Sequence, residues 1–149
     1  MLSNLWARLT GVFLLLGLGQ RSALDRDRKA ELAARGENFR VLAENIHDGI
    51  LVNADGRHVF ANSAMAEMLG YAGAGELLGT TVEQVVHPEA LAFVRDRFRR
   101  RFAGAPVPRR YETVFIGKDG APVPADIHAS LTTWQGQPAG IVSVREMPV

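Results

Sequence analysis

Four histidines are the side chains best suited to metal binding or acid–base chemistry: His47, His58, His87 and His128. No two of them lie within four residues of each other, and the 149-residue chain contains no cysteine, so the sequence has no metal-ligand spacing. No serine or threonine occupies a glycine-flanked nucleophile elbow, and no glycine-rich loop has phosphate-binding spacing. The chain therefore contains no recognisable catalytic motif.

A basic stretch in the second half of the chain contains seven arginines and a single acidic residue, Asp96. Nucleic acid, a phosphorylated partner or a membrane surface could use such a stretch. The net charge of the whole chain is only +1, and no aromatic residues are expected between the arginines on the exposed side of the helix. We therefore interpret the stretch as the solvated face of an amphipathic helix, and nucleic acid is not an expected partner. The arginines are Arg95, Arg97, Arg99, Arg100, Arg101, Arg109 and Arg110.

The clearest structural signal is a predicted hairpin that leads into a short helix. Two apolar runs flank Asp55-Gly56, a residue pair that tolerates the positive φ angles of a type I′ turn. Asn62 is expected to cap a helix that runs from Ser63 to Leu69. Strand, turn, strand and capped helix thus follow one another within about twenty residues.

The remaining elements can be placed by similar signals. Glu76-Leu77-Leu78-Gly79 reads as one helical turn, and His87-Pro88 opens a long helix that runs to about Phe102. Turn residues at Lys118-Asp119-Gly120 and at Gln135-Gly136-Gln137 separate three further strands. These strands are predicted at Arg110 to Ile116, Val123 to Trp134 and Ala139 to Arg145.

This ordered set of elements resembles the PAS family of sensor domains over residues 37–147. The resemblance implies an α+β fold, with a five-stranded antiparallel sheet whose helices pack against one face and enclose a pocket. It also implies a non-enzymatic role in signal transduction, in which a small ligand or a partner domain is bound. Two alternatives stay open: a protein–protein interaction or scaffold module with a filled core, and a haem-based gas or redox sensor.

The resemblance also bears on cofactors. Family members that attach a chromophore covalently do so through cysteine, which this chain lacks, so a cysteine-linked chromophore is excluded, whereas haem or non-covalent flavin is left open. Haem-binding relatives ligate iron from the long helix. In this chain His87 precedes Pro88 at the helix entrance, and Leu91 occupies the position one turn further in, so His87 is expected to cap the helix.

Periodicity predicts which apolar residues face the pocket of the implied fold, although a ligand cavity and a filled core share this pattern. The candidates come from the first strand, from the helices and from the last two strands. They are Ile50, Val52, Met65, Met68, Leu69, Leu78, Val86, Leu91, Val94, Ile127, Ala129, Leu131, Ile141 and Val144.

The chain before the sensor domain has two parts. Residues 1–20 form an apolar stripe at helical spacing, too short to span a bilayer comfortably, which could dock on protein, lie on a membrane surface or act as a signal peptide. Residues 21–36 are predicted to form a charged helical linker. Together these segments favour a homodimer. The resemblance to the PAS family implies a kinase, cyclase or other signalling partner, and we expect a cytoplasmic location, with contact to a membrane surface through residues 1–20. The candidate dimerisation residues are Leu5, Leu9, Phe13, Leu16, Leu32 and Phe39.

Overall fold

A computed structural model describes residues 26–28, 30 and 36–148 of the chain. Residues 26–28, 30 and 36–44 are helical, and we call residues 36–44 helix α1. The compact unit that contains the sheet begins at Leu42. Phe39 is a half-buried helical residue, whereas Leu5, Leu9, Phe13, Leu16 and Leu32 lie outside the described residues. None of the described helices is long and apolar enough to cross a membrane.

One antiparallel sheet of five strands forms the centre of this unit, which confirms the predicted α+β fold. The strands lie in the order β2-β1-β5-β4-β3. Three α-helices and a short 3-10 turn connect β2 to β3. The strands are β1 (Gly49–Ala54), β2 (Arg57–Ala61), β3 (Arg110–Ile116), β4 (Pro122–Trp134) and β5 (Gln137–Glu146); the helices are α2 (Ser63–Leu69), α3 (Val82–Val85) and α4 (Pro88–Phe102); the 3-10 turn is Ala74–Glu76.

The turn between β1 and β2 has the geometry that its sequence predicts. Asp55 and Gly56 have φ angles of 54° and 76°, and Ala54 pairs directly with Arg57. Both central residues are thus left-handed, as a type I′ turn requires. The turn fixes the register of the hairpin, which sets which residues of β1 and β2 face each other.

The side chain of Asn62 connects β1, α2 and the chain that precedes β1. Its Oδ1 accepts hydrogen bonds from Met65 N at 3.0 Å and from Ile50 N at 2.8 Å. Its Nδ2 donates to Ala43 O and to Asp48 O, both at 2.9 Å. The predicted helix cap is confirmed, and the same side chain also joins three segments of the fold.

The connection between α2 and α4 differs from its prediction. A single helical turn was expected at Glu76-Leu77-Leu78-Gly79, but the structure has a 3-10 turn at Ala74–Glu76 and a separate helix α3. At the start of α3, Gln84 Oε1 accepts a hydrogen bond from Thr81 N at 2.8 Å, as in a capping box. Residue Leu77, rather than Leu78, is fully buried as a result.

The core on the α2 side of the sheet is closely packed. Met65 and Leu69 of α2 are 0% and 1% exposed and belong to the main hydrophobic cluster together with Leu51 and Val144. A Cβ atom added at Gly49 would lie 2.7 Å from Met65 Sδ, so α2 approaches β1 as closely as glycine allows. There is no room for a ligand between α2 and this end of β1.

Candidate ligand cavity

A cavity of about 40 Å³ lies between the sheet and helices α3 and α4. This volume has room for on the order of three water molecules. Its walls come from all five strands and both helices, and they are mostly aliphatic and aromatic. The lining residues are Leu51, Asn53, His58, Val82, Val85, Val86, Val94, Phe98, Tyr111, Thr113, Phe115, Ile127, Gly140 and Val142.

Three of the predicted pocket residues line this cavity: Val86, Val94 and Ile127. Five of the others lie in or against the packed core beside it. Ala129, Leu131 and Ile141 instead border a second cavity of about 10 Å³. The residues of the core group are Met65, Leu69 and Val144, which are fully buried, and Met68 and Leu91, which are partly buried against them.

The predicted phase of β1 is wrong by one residue. Leu51 and Asn53 of β1 line the cavity, not Ile50 and Val52. The physical reason is that every residue of β1 is buried, so the alternation between apolar and polar residues that normally identifies the inner face is missing.

On β5 the correction concerns Ile141 alone, since Gly140 and Val142 line the cavity while Ile141 does not. Glycine carries no side chain, so a pattern of apolar side chains cannot assign Gly140 to the inner face.

Two further candidates are exposed and do not line the cavity beneath α3 and α4. Leu78 is 51% exposed because the 3-10 turn directs Leu77 inward in its place. Leu131 is 47% exposed, in a stretch of β4 where residues 131–133 are all exposed. Strand alternation therefore indicates the inner face only along the part of a strand that helices cover.

Three polar side chains are buried in the cavity wall, and sequence reasoning found none of them. Asn53, His58 and Thr113 are 5%, 4% and 7% exposed. Among the residues that the structure describes, Asn53 Nδ2 and Thr113 Oγ1 have no hydrogen-bond partner. Buried polar atoms without a partner are rare in folded proteins, since each costs about 1–3 kcal/mol.

His58 is held in one orientation by Thr80. Its backbone N donates to Thr80 O at 2.8 Å, and its Nδ1 lies 3.0 Å from Thr80 Oγ1. Burial lowers the pKa of His58 to about 4, although the hydrogen bond to the Thr80 backbone and the charge of Glu83 favour its protonation. The imidazole is therefore neutral at pH 7.

A weak sequence signal exists for two of these polar residues. Asn53 is the only polar residue in the buried strand Gly49–Ala54, and a lone polar residue on a fully buried strand needs a partner. Thr113 alternates with Tyr111 and Phe115 on β3, so period-two reasoning applied to β3 would have placed all three on one face.

The remaining histidines lie away from the cavity. His87 is the N-cap of α4, as predicted, and its Nδ1 accepts a hydrogen bond from Glu89 N at 3.2 Å. His47 and His128 are exposed. Within the described part of the chain, no cluster of three or more His, Cys, Asp or Glu side chains could hold a metal ion.

Haem and flavin do not fit this site. A cavity with room for about three water molecules is far smaller than either ring system, and His87 is not among the residues that line it.

The arginine-rich face of α4 is partly neutralised by acidic residues. Arg95 forms an ion pair with Glu83 of α3, and this contact lowers the pKa of Glu83 to about 2. Asp96 lies 3.0 Å from Arg99 Nη2 and 3.1 Å from Arg100 Nε. These contacts agree with a solvated helix face.

Comparison with known proteins places this geometry in a family. The family model for the PAS fold matches residues 37–145. Sporulation kinase A of Bacillus subtilis (strain 168) is 27% identical over 106 residues, which cover 71% of this chain but only 17% of the kinase. This chain thus corresponds to a small part of that relative.

Solved structures share the fold. A PAS domain of a Desulfitobacterium hafniense protein is 25% identical with a TM-score of 0.61, and the match covers 70% of this chain and 96% of that one. A PAS domain from a two-component sensor histidine kinase is 16% identical with a TM-score of 0.63, covering 77% and 98%. With the family match spanning most of its length, the chain belongs to the PAS family, whose members are typically sensory modules of signal transduction.

Proposed function

We propose that this PAS domain is a non-catalytic sensor that binds a small ligand in the cavity beneath α3 and α4. The observation that carries the proposal is that two polar atoms in the wall of that cavity, Asn53 Nδ2 and Thr113 Oγ1, have no hydrogen-bond partner in the described part of the chain. A core that served only to stabilise the fold would be expected to fill this space and to pair these groups.

The packing of the neighbouring core supports this distinction. On the α2 side, Met65 and Leu69 are 0% and 1% exposed, a Cβ atom at Gly49 would lie 2.7 Å from Met65 Sδ, and Asn62 is fully hydrogen-bonded. The chain therefore packs tightly where only stability is needed. An interaction or scaffold module with a filled core would show that same packing under α3 and α4 as well.

The hydrogen bonds of Asn62 suggest how a change in the cavity reaches the N-terminal side of the domain. β1 contributes Leu51 and Asn53 to the cavity, and its Ile50 N–H donates to Asn62. Asn62 in turn holds Ala43 O in the last turn of α1. A shift of β1 on ligand binding would move this hydrogen-bonded group, and with it the end of α1.

The proposed signalling partner is a kinase, cyclase or other output module. The relation to Sporulation kinase A favours a kinase.

We further propose that the protein acts in the cytoplasm as a homodimer, with residues 1–20 contributing to the dimer or to contact with a membrane surface. The arginine-rich face of α4 is a second proposed binding surface, for an acidic partner. Salt screens exposed charges, so the affinity of this partner should fall as salt is added.

Native mass and the absorbance spectrum of the purified protein test ligand binding. The proposal predicts a mass excess from a small co-purified ligand, or saturable binding of small molecules to the apo-protein. A clean apo mass, with no probe bound at any concentration, would instead favour the scaffold function. A Soret band lost on changing His87→Ala would make the domain a haem sensor and would contradict the proposal.

Sedimentation tests the dimer. The full chain should sediment as a dimer, and removal of residues 1–19 should shift it toward monomer or release it from lipid vesicles. If both forms are monomeric and neither pellets with vesicles, the N-terminal segment has no role in association.

A further inference from the structure

We propose that the cavity takes a small neutral ligand whose polar group both accepts and donates a hydrogen bond, such as an alcohol or an amide, held between Asn53 and His58. This inference rests on the proposed sensory function and specifies the chemistry of its ligand. It depends on three features of the cavity wall: the pairing of the two residues, the proton position on His58 and the absence of charge.

Asn53 and His58 are direct cross-strand partners. They oppose each other in the register of β1 and β2, and both line the cavity. Residues in such a position have Cβ atoms about 5 Å apart. One polar group of a ligand can therefore contact both side chains at once.

The two side chains offer complementary hydrogen-bonding groups. Asn53 Nδ2 is an unpartnered donor among the described residues. The Thr80 hydroxyl has one proton, which it donates to Leu77 O at 2.5 Å, so toward His58 Nδ1 at 3.0 Å it acts as an acceptor. His58 Nδ1 therefore carries the ring proton, and Nε2 is left as an acceptor. A ligand group that accepts from Asn53 and donates to Nε2 matches this pair.

Charged ligands are disfavoured by the composition of the wall. None of the described residues that line the cavity is Asp, Glu, Lys or Arg. His58 is neutral at pH 7 because burial lowers its pKa to about 4. An ionised ligand would lose its hydration without gaining a counter-ion, which costs more than burial of a hydrogen-bonded neutral group.

Among the described residues, the second polar atom without a partner is Thr113 Oγ1 on β3, which β5 and β4 separate from β1 in the sheet. Asn53 pairs with Gly140 of β5, which in turn pairs with Leu131 of β4. Thr113 pairs directly with Ala125 of β4. Positions 125 and 131 are separated by about 20 Å along an extended strand. A ligand of a few heavy atoms bound at Asn53 does not reach Thr113, so Thr113→Val serves as a matched control within the same cavity.

The test uses three probes of nearly equal size: propionamide, propionate and 1-chloropropane. Binding to the full-length protein at pH 7 is measured by titration in protein-observed NMR. We expect propionamide to bind at least tenfold more tightly than the other two. 1-Chloropropane satisfies neither polar group, whereas propionate can accept from Asn53 but cannot donate to His58 Nε2 and buries an unpaired charge. Asn53→Leu should weaken propionamide binding at least tenfold, whereas Thr113→Val should change it less than threefold. The dispersion of the backbone amide signals in the NMR spectra of both variants verifies that they are folded.

Each contrary outcome has a distinct meaning. Equal binding of 1-chloropropane or propionate, or an Asn53→Leu variant that binds propionamide normally, would overturn the ligand class while the sensory function stands. Equal losses in both variants would overturn the placement at Asn53. If no probe binds but the protein purifies with another ligand, the inference fails and the proposed function holds. If nothing binds and nothing co-purifies, the cavity holds only water and both fail.

Discussion

Two buried asparagines, Asn62 and Asn53, have opposite environments in this domain. Asn62 is 0% exposed and uses both polar atoms of its side chain in four hydrogen bonds. Asn53 is 5% exposed, and its Nδ2 has no partner among the described residues. Asn62 lies in the packed region under α2, and Asn53 lies in the wall of the cavity.

The difference separates stability from binding. A satisfied buried amide fixes the position of the backbone around it. An unsatisfied one lowers stability in the absence of a ligand and leaves a hydrogen-bonding group for one. Replacing the two asparagines should therefore have opposite effects on the free energy of unfolding.

The largest effect is expected for Asn62→Ala. Loss of the helix cap alone would cost about 1 kcal/mol, but the change also leaves Ile50 N–H, Ala43 O and Asp48 O without their partner. We expect the free energy of unfolding to fall by about 4 kcal/mol, at roughly 1 kcal/mol for each lost hydrogen bond. Urea unfolding measures this loss, and Glu67→Ala on the exposed face of α2 is the control. A loss of only about 1 kcal/mol would show that Asn62 stabilises the domain only as the cap of α2.

The cavity region should be sensitive to acid through His58. Its pKa is about 4 in the folded protein and 6.5 in the unfolded chain, so between these values the unfolded state binds a proton that the folded state does not. The contribution of neutral His58 to the free energy of unfolding is therefore fully present above about pH 6.5. It falls as the pH is lowered, by about 3 kcal/mol at pH 4.

Urea unfolding at pH 7 and pH 4.5 measures this dependence in the wild type and in His58→Gln. The glutamine side chain does not titrate, so the variant should lose much less stability between these two pH values. Equal losses in the two proteins would show that groups other than His58 cause the acid sensitivity.

A smaller loss is expected when the cavity is partly filled from β5. A Cβ atom at Gly140 would lie 2.8 Å from Phe98 Cζ. Gly140→Ala should displace this ring, lower the free energy of unfolding by about 1–2 kcal/mol and weaken ligand binding. Gly75→Ala is the matched control, because a Cβ atom there meets nothing within 4 Å. Unchanged stability and binding in Gly140→Ala would show that Phe98 moves aside freely.

The same comparison shows what the sequence could predict. The two-residue turn at Asp55-Gly56 and the cap at Asn62 depend on neighbouring residues, and so they are readable from sequence. The hydrogen bonds from Asn62 to Ala43 and Asp48 span 19 and 14 residues. Contacts of that kind depend on the assembled fold and have no local signal.

The cavity was less predictable than the fold for a related reason. Val94 and Ile127 lie on elements that are buried on one side, so periodicity identified them. Asn53 lies on a strand buried on both sides, where periodicity gives no phase. The polar groups of the site were therefore missed, although the sheet that carries them was predicted correctly.

The central claim is that Asn62 serves the fold while Asn53 serves a ligand. Leucine is close to asparagine in size and lacks its polar atoms, so Asn53→Leu and Asn62→Leu form the most direct test when the free energies of unfolding are measured without added ligand. The account predicts that Asn53→Leu leaves stability unchanged or raises it by up to about 1 kcal/mol, because an unsatisfied amide is removed, while Asn62→Leu lowers it by several kcal/mol. A loss in Asn53→Leu as large as that in Asn62→Leu would contradict the account.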